Sequence, residues 1–158
     1  MNEGAETKGT LVTGVIGEDV HIIGVRILEH VLRQAGFKTV PLGAQVSQEE
    51  FVEAAIETNA DAILVSSLGG HASLLLPGLR GKCQEAGLSD ILLYLGGQLV
   101  LGESDWSDSE KAFRAMGIDR VYPPNVHLAR VVQDLEGDCS ARRSARGADQ
   151  QNPEGLQP

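Results

Sequence analysis

Short apolar runs alternate with helix-like segments along this chain, and this alternation restricts the possible folds more than any other feature of the sequence. Apolar runs of strand length lie at 11–16, 38–42, 61–66, 91–95 and 119–122. The segments between them have the apolar period of amphipathic helices, and Ser47 with Glu50 forms a capping box at the start of one. Strands and helices that alternate at this spacing form a parallel, doubly wound sheet. The sequence therefore predicts a flavodoxin-like (Rossmann-like) α/β domain of five parallel strands in the order 2-1-3-4-5.

The length of 158 residues allows one domain, which we expect to span residues 10–136. Residues 1–9 are polar and residues 137–158 have no apolar period, so both ends are predicted to be disordered. The arginines of the C-terminal segment are interpreted as a solvated run without a function. Cys83 is expected in a helix and Cys139 in the tail, an arrangement that suits neither a disulfide framework nor a zinc site.

The composition argues against several classes of partner. The formal net charge is −9, and no cluster of Lys and Arg lies outside the C-terminal segment, which argues against nucleic acids and anionic membrane surfaces. The first ten residues lack the apolar core of a secretory signal, and no apolar run is long enough to span a bilayer. We therefore expect a cytoplasmic protein that binds neither nucleic acid nor membrane.

A polar loop follows the first predicted strand and contains Asp19, His21 and Gly24 in the spacing Asp-x-His-x-x-Gly. A histidine that ligates a metal usually donates its second ring nitrogen to a carboxylate, and Asp19 is close enough in sequence to accept it. Gly24 would let a bulky group approach the backbone. The same residues also fit a solvated loop with an Asp–His contact and a helix-entry glycine, so the motif alone does not decide between these interpretations.

Other candidate ligand-binding residues also follow predicted strands. Ser66 ends the third strand, Gly96-Gly97 ends the fourth and Pro123-Pro124 ends the fifth. Parallel strands all end on the same edge of a sheet. These residues and His21 are therefore predicted to meet at the carboxyl edge, where open α/β sheets bind ligands.

Three common functions of such an edge fit the residues of this sequence poorly. A phosphate or flavin site needs a first loop rich in Ser, Thr and Gly, whereas Glu18 and Asp19 would repel phosphate. A response-regulator receiver needs an acidic residue after the third strand and a lysine after the fifth, where this chain has Ser66-Ser67 and Pro123-Pro124. The dinucleotide motif G-x-G-x-x-G is also absent from the sequence.

The separated motifs together resemble the signature of cobalamin-binding domains, which occur in methionine synthase, methylmalonyl-CoA mutase and glutamate mutase. The motifs are Asp19-x-His21-x-x-Gly24, Ser66-x-Leu68 and Gly96-Gly97. Longer segments are similar to the small cobalamin-binding subunit (sigma component) of glutamate mutase, also called methylaspartate mutase; among them are GVIGEDVH, SQEEFVEAAIETNADAILVSSL and AMGIDRVYPP. The resemblance extends from residue 9 to about residue 135.

The resemblance implies a role for each motif. His21 would be the lower axial cobalt ligand in place of the cofactor's own dimethylbenzimidazole, and Asp19 would be its hydrogen-bond partner. The displaced nucleotide tail would enter between strands 1 and 3, where Ser66 would bond a benzimidazole nitrogen. The other residues implied around the tail and at the rim of its site are Leu68, Gly24, Gly96, Gly97 and Pro123. Taken singly, Ser66 could instead cap a strand end, and the glycines could form simple turns.

The resemblance further implies an adenosylcobalamin-dependent enzyme that isomerises L-glutamate to (2S,3S)-3-methylaspartate by a radical mechanism. This chain would contain no catalytic residue beyond the cobalt ligand. The substrate would bind in a separate barrel subunit, in an assembly of two small and two large subunits. Two segments depart from the family pattern, at 69–73 and at Asn125-Val126, and both would face the partner.

Other functions of a cobalamin-binding chain stay open as alternatives. A corrinoid carrier that serves methyltransferases usually has a helical cap domain before the Asp-x-His motif, whereas a short polar segment precedes the first strand here. A subunit of another cobalamin-dependent mutase would share the motifs, and a cobalamin-sensing regulator would need an output domain. Among these classes the sequence favours the mutase component.

Overall fold

The five predicted strands form one parallel sheet in the computed structural model, which describes residues 7–17, 22–67, 72–97 and 106–151 of the chain. The strands are β1 (Thr10–Val15), β2 (Lys38–Pro41), β3 (Ala62–Ser66), β4 (Leu92–Gly96) and β5 (Arg120–Val121). Their order is β2-β1-β3-β4-β5, and every neighbouring pair is parallel. The predicted fold class and strand order are confirmed, and the order reverses between β1 and β3.

Helices cover both faces of this sheet. Within the described ranges they are α1 (Ile23–Gln34), α2 (Gln48–Thr58), α3 (Ala72–Leu75), α4 (Leu79–Glu85), α5 (Trp106–Ala115) and α6 (Leu128–Gln151). On one face α1 and α6 contribute Leu32 and Leu135 to a buried cluster, and on the other α2, α4 and α5 contribute Phe51, Cys83 and Phe113. Burial on both faces explains why the strands are continuous apolar runs in the sequence. None of these helices combines the length and the hydropathy that a bilayer crossing requires.

Local sequence sets several helix boundaries. Helix α1 ends at Gln34 because Gly36, two residues later, takes the left-handed conformation, with φ of 104°. The predicted capping box is present at α2, where Ser47 accepts the amide of Glu50. The single helix that the sequence predicts after the third strand is instead two, α3 and α4. Pro77 between them has no amide hydrogen to donate, and Gly78 has φ of 91°, so a regular helix does not continue through them.

The prediction of disorder from residue 137 onward is wrong for residues 137–151, because α6 continues through them. Cys139 is fully buried on the face that α1 and α6 cover, so the prediction that it lies in a tail is also wrong. Arg146, predicted to be solvated, bonds Asp90 near the start of β4 at 2.9 Å. This half of α6 is held by charged partners far away in the chain, which no apolar period within the segment can reveal.

At the N-terminus, as at the C-terminus, part of the segment that was predicted to be disordered is ordered. Residues 7–9 are not disordered, since the amide of Lys8 donates to the carbonyl of Gly36 at 3.1 Å and Thr7 Oγ1 accepts from the amide of Lys38 at 3.2 Å. The ordered domain therefore extends beyond the predicted limits of 10 and 136. Residues 1–6 and 152–158 lie outside the described residues.

A buried ion cluster attaches the second half of α6 to the amino-terminal edge of the sheet. Asp61 precedes β3 and is 5% exposed. It accepts from Arg142 Nη1 at 2.9 Å, from Arg143 Nη2 at 3.1 Å and from the amide of Thr10 at 2.8 Å. Burial by itself would raise the pKa of Asp61, but the hydrogen bonds from Arg143 and Thr10 and the two positive charges outweigh burial and lower that pKa.

Asp61→Asn is expected to lower the free energy of unfolding by about 2–3 kcal/mol near neutral pH, because the buried Arg142 loses its buried carboxylate partner and keeps only the half-exposed Asp90. The pKa of Asp61 is lower in the folded chain than in the unfolded one. Its carboxylate therefore stabilises the fold above the unfolded value of about 4, and this contribution is lost as the pH falls through the folded value. The difference between wild type and variant, measured by urea denaturation at several pH values, should shrink in acid.

Glu136→Gln is the matched control for this variant. It removes a second ion pair of α6, with Lys8 at 2.6 Å, but both side chains are at least 40% exposed. Such a pair contributes little, so the control should change the free energy of unfolding by less than about 0.5 kcal/mol. If Asp61→Asn were as stable as this control, the buried cluster would make no net contribution to folding.

Candidate functional site

A cavity of about 390 Å³ opens at the carboxyl edge of the sheet, on the face that α1 and α6 cover. Its walls are the first turns of α1, the ends of β3 and β4, the segment after β5 and the first turn of α6. The volume is in the range of small-molecule sites. The position, beside the reversal of strand order, is where open α/β sheets bind ligands.

Five of the eight residues predicted to hold a cofactor line this cavity: Gly24, Ser66, Gly96, Gly97 and Pro123. Ser66 and Gly96 are the last residues of β3 and β4 and are partners in the strand register, so the sheet itself sets their separation. The predicted convergence at the carboxyl edge is thus present for these five, while their roles toward a cofactor stay predictions. Asp19, His21 and Leu68 lie outside the described residues.

The described lining of the cavity contains no charged residue. Its polar side chains are one serine and two tyrosines, and the tyrosine hydroxyls donate to Asp138 and Asp134, which are not part of the lining. Among the described side chains of the lining, the Ser66 hydroxyl is therefore the polar group that is offered to a ligand. These side chains suit an uncharged ring system with one hydrogen-bonding atom, whereas they offer a phosphate no positive charge.

At two of the glycine positions in the cavity, the backbone conformation does not require a glycine. Gly97 has φ of 104°, a conformation that strains other residues, so the backbone alone accounts for it. Gly24 and Gly96 have no such φ. A methyl group on Gly24 would meet no described atom within 4 Å, and one on Gly96 would come no closer than 4.0 Å to Tyr122. Simple turns therefore do not explain these two glycines, whereas space kept for a ligand would.

Two aromatic residues of the cavity are missing from the predicted site. Tyr94 in β4 and Tyr122 after β5 line it, with ring centroids 5.8 Å apart and planes inclined at 48°. Burial, and then the carboxylates that accept their hydroxyls, raise the pKa of both phenols well above the ordinary value, so both stay protonated. The sequence does contain a signal for one of them: Tyr94 precedes Gly96 by two residues, which is the period of a strand face.

The sequence matches a known family along most of its length. The family described as B12 binding domain matches residues 9–121. A glutamate mutase sigma subunit of Carboxydothermus hydrogenoformans is 56% identical over 128 residues, which are 81% of this chain and 93% of that relative. The chain belongs to the glutamate mutase sigma subunits. Membership of the sigma-subunit family confirms the resemblance found in the motifs.

Solved structures share the fold of this sigma-subunit family member. A cobalamin-binding protein from Desulfitobacterium hafniense matches with a TM-score of 0.67 at 21% identity, over 82% of this chain and 58% of that protein. The monomethylamine corrinoid protein of Methanosarcina barkeri matches with a TM-score of 0.64 at 26% identity, over 81% of this chain and 57% of that protein. The chain thus spans just over half the length of each of these two proteins.

Gly24→Ala is expected to stabilise the cofactor-free chain slightly and to weaken its binding of cobalamin. Alanine is favoured over glycine in a helix by up to about 1 kcal/mol, and the added methyl group meets no described atom within 4 Å. The same methyl group would occupy space at the cavity wall. The affinity for cobalamin, measured by spectrophotometric titration, should therefore fall by about fivefold or more.

Gly81→Ala is the control, because Gly81 is also helical, is not part of the cavity and also has no atom within 4 Å of an added methyl group. It should give a similar small gain in stability with unchanged affinity. Equal affinities in the two variants would show that Gly24 does not keep space for the cofactor.

Proposed function

We propose that this chain is the cobalamin-binding subunit of an adenosylcobalamin-dependent glutamate mutase, which isomerises L-glutamate to (2S,3S)-3-methylaspartate. One observation carries the proposal: in a member of the sigma-subunit family, residues from separated motifs meet at one cavity whose described lining is uncharged. Those residues are Gly24, Ser66, Gly96, Gly97 and Pro123. A relative from Clostridium cochlearium that is 52% identical over 132 residues is also a glutamate mutase sigma subunit.

The cavity suits the benzimidazole at the end of cobalamin's nucleotide tail once the tail has left the cobalt. A benzimidazole is flat and uncharged, and its freed ring nitrogen is an acceptor, which matches aromatic walls and the hydroxyl of Ser66. Gly24 and Gly96 would leave room for the tail, and Gly97 and Pro123 would border it. The resemblance supplies the remaining roles, with His21 as the cobalt ligand, Asp19 as its hydrogen-bond partner and Leu68 as part of the lining.

The described lining also supports a division of labour between two subunits. Adenosylcobalamin supplies the radical chemistry, and the part of this chain is to bind and orient it. Glutamate has two carboxylates and an ammonium group, and a site for it needs charged partners. Since no described residue of the cavity is charged, we assign the substrate to a separate barrel subunit, two copies of which would assemble with two copies of this chain. That subunit would also exclude water from the reaction.

A corrinoid carrier for methyl groups is the alternative function for this fold. The monomethylamine corrinoid protein shares the fold, but its identity to this chain is 26% and the match takes up 57% of its length. The sigma subunit of Carboxydothermus hydrogenoformans is 56% identical, and 93% of its length is matched. The difference in identity and coverage favours the mutase component.

His21 is expected to give a spectroscopic signature of cobalt ligation. With the large subunit present and the bound cobalamin in the Co(II) state, the EPR spectrum should show superhyperfine splitting from an imidazole nitrogen, and His21→Ala should abolish it. His30→Ala, an exposed position on α1, is the control and should leave the splitting intact. A spectrum that did not respond to ¹⁵N-histidine labelling would show that no histidine ligates the cobalt.

The proposed reaction is tested by mixing the purified chain with adenosylcobalamin and L-glutamate, with and without a glutamate mutase large subunit. We expect 3-methylaspartate in the complete mixture only, because this chain would have no site for the substrate. Product from the chain without the large subunit would contradict the division of labour. Absence of product with a cognate large subunit, in a mixture where cobalamin is bound, would contradict glutamate as the substrate.

A further inference from the structure

One wall of the cavity is made by three elements that are distant in the sequence, namely β4, the end of β5 and α6. Tyr94 and Tyr122 contribute to it, together with Leu128 and Val131 of α6. The shape of the site on this side therefore depends on how α6 is held against the two strands.

Three charged residues join these elements behind the wall. Asp138 accepts the hydroxyl of Tyr94 at 2.5 Å and a two-point contact from Arg120, at 2.8 and 3.0 Å. Asp134 accepts the hydroxyl of Tyr122 at 2.6 Å, and one of its oxygens lies 3.7 Å from Arg120 Nη1. Asp134 and Asp138 thus bond one tyrosine each, and Arg120 of β5 links these two carboxylates.

We propose that Asp134, Asp138 and Arg120 are positioning residues of the cofactor site. They do not line the cavity, but they hold the rings of Tyr94 and Tyr122 and the helix α6 together as one preformed wall. This role rests on the proposed function, because it takes the cavity to be the site of cobalamin. None of the three residues belongs to the three short cobalamin-binding motifs, although Arg120 lies in the longer similar segment AMGIDRVYPP.

The arrangement of charge keeps the tyrosine hydroxyls directed to α6. The hydrogen bond from the Arg120 guanidinium lowers the pKa of Asp138, so this carboxylate stays ionised and remains an acceptor. A hydroxyl bonded to an ionised carboxylate makes a stronger hydrogen bond than one between neutral groups. Without the carboxylate, the buried hydroxyl would need another partner and the ring would lose its single orientation. Part of the binding free energy would then be used to order the wall.

The test compares the affinity of variants for adenosylcobalamin, measured by spectrophotometric titration of the purified chain. Asp138→Asn and Tyr94→Phe should each weaken binding about 3- to 10-fold, since each removes the same hydrogen bond while keeping the ring or the helix. The affinity of the double variant should be no lower than that of the single variant that binds less tightly, because both changes break the same contact. Asp134→Asn and Tyr122→Phe form a second cycle with the same expected pattern.

Two controls separate positioning from a general loss of stability. Glu136→Gln changes a carboxylate on the same helix that pairs with Lys8 and does not line the cavity. Cys83→Ala leaves a void in the cluster on the opposite face of the sheet. Both should bind adenosylcobalamin as the wild type does, at a temperature where circular dichroism shows every variant folded.

The outcomes distinguish this role from the proposed function. Asp and Tyr variants that all bind within about twofold of wild type would overturn the positioning role, and so would additive losses in the double variants. An equal loss of affinity in Cys83→Ala would also overturn it, because affinity would then follow stability alone. A wild-type chain that does not bind adenosylcobalamin even with the large subunit present would overturn the proposed function and the positioning role with it.

Discussion

Parallel strands buried on both faces must all end on the same edge of the sheet, and the site of this chain depends on that constraint. The crossover through α1 leads from β1 to one side, whereas the chain after β3 continues to the other, so the strand order reverses between β1 and β3. Burial on both faces also sets the strand register, because a slipped strand would misplace side chains that are packed on two sides. As a result Ser66 and Gly96, which are far apart in the sequence, are neighbours at the cavity.

Helix α6 has separate attachments at the two edges of the sheet. Near the carboxyl edge its residues Leu128 and Val131 line the cavity, and Asp134 and Asp138 bond the tyrosines of the wall. Near the amino edge, Arg142 is bound to the buried carboxylate of Asp61. The first attachment orders a binding surface, and the second fixes the helix without contact with that surface. Substitutions of Asp134 or Asp138 and substitutions of Arg142, although on one helix, should therefore have different consequences for affinity and for stability.

The sequence predicts those features that depend on local pattern and on topological place. The strands follow from their apolar runs, the start of α2 from its capping box, and the meeting of Gly24, Ser66 and Gly96 from the strand order. The continuation of α6 beyond residue 137 was not predictable in this way, because its partner Asp61 lies far away in the sequence and its own residues have no apolar stripe. Tyr122 was missed for another reason: at the end of a buried strand, a tyrosine has the same pattern as an ordinary core residue.

The placement of charge gives a physical reason for two subunits. The cluster of Arg120, Asp134 and Asp138 lies behind the aromatic wall, and no described residue of the lining is charged. A charged side chain in the lining would lose its hydration when an uncharged ring entered, at a cost of several kcal/mol unless a partner compensated it, as an order of magnitude. A cavity that takes the benzimidazole of the tail, as proposed, would for this reason be a poor site for an amino acid with two carboxylates and an ammonium group. The two ligands require opposite environments, and a division between an apolar subunit for the cofactor tail and a charged subunit for the substrate satisfies both.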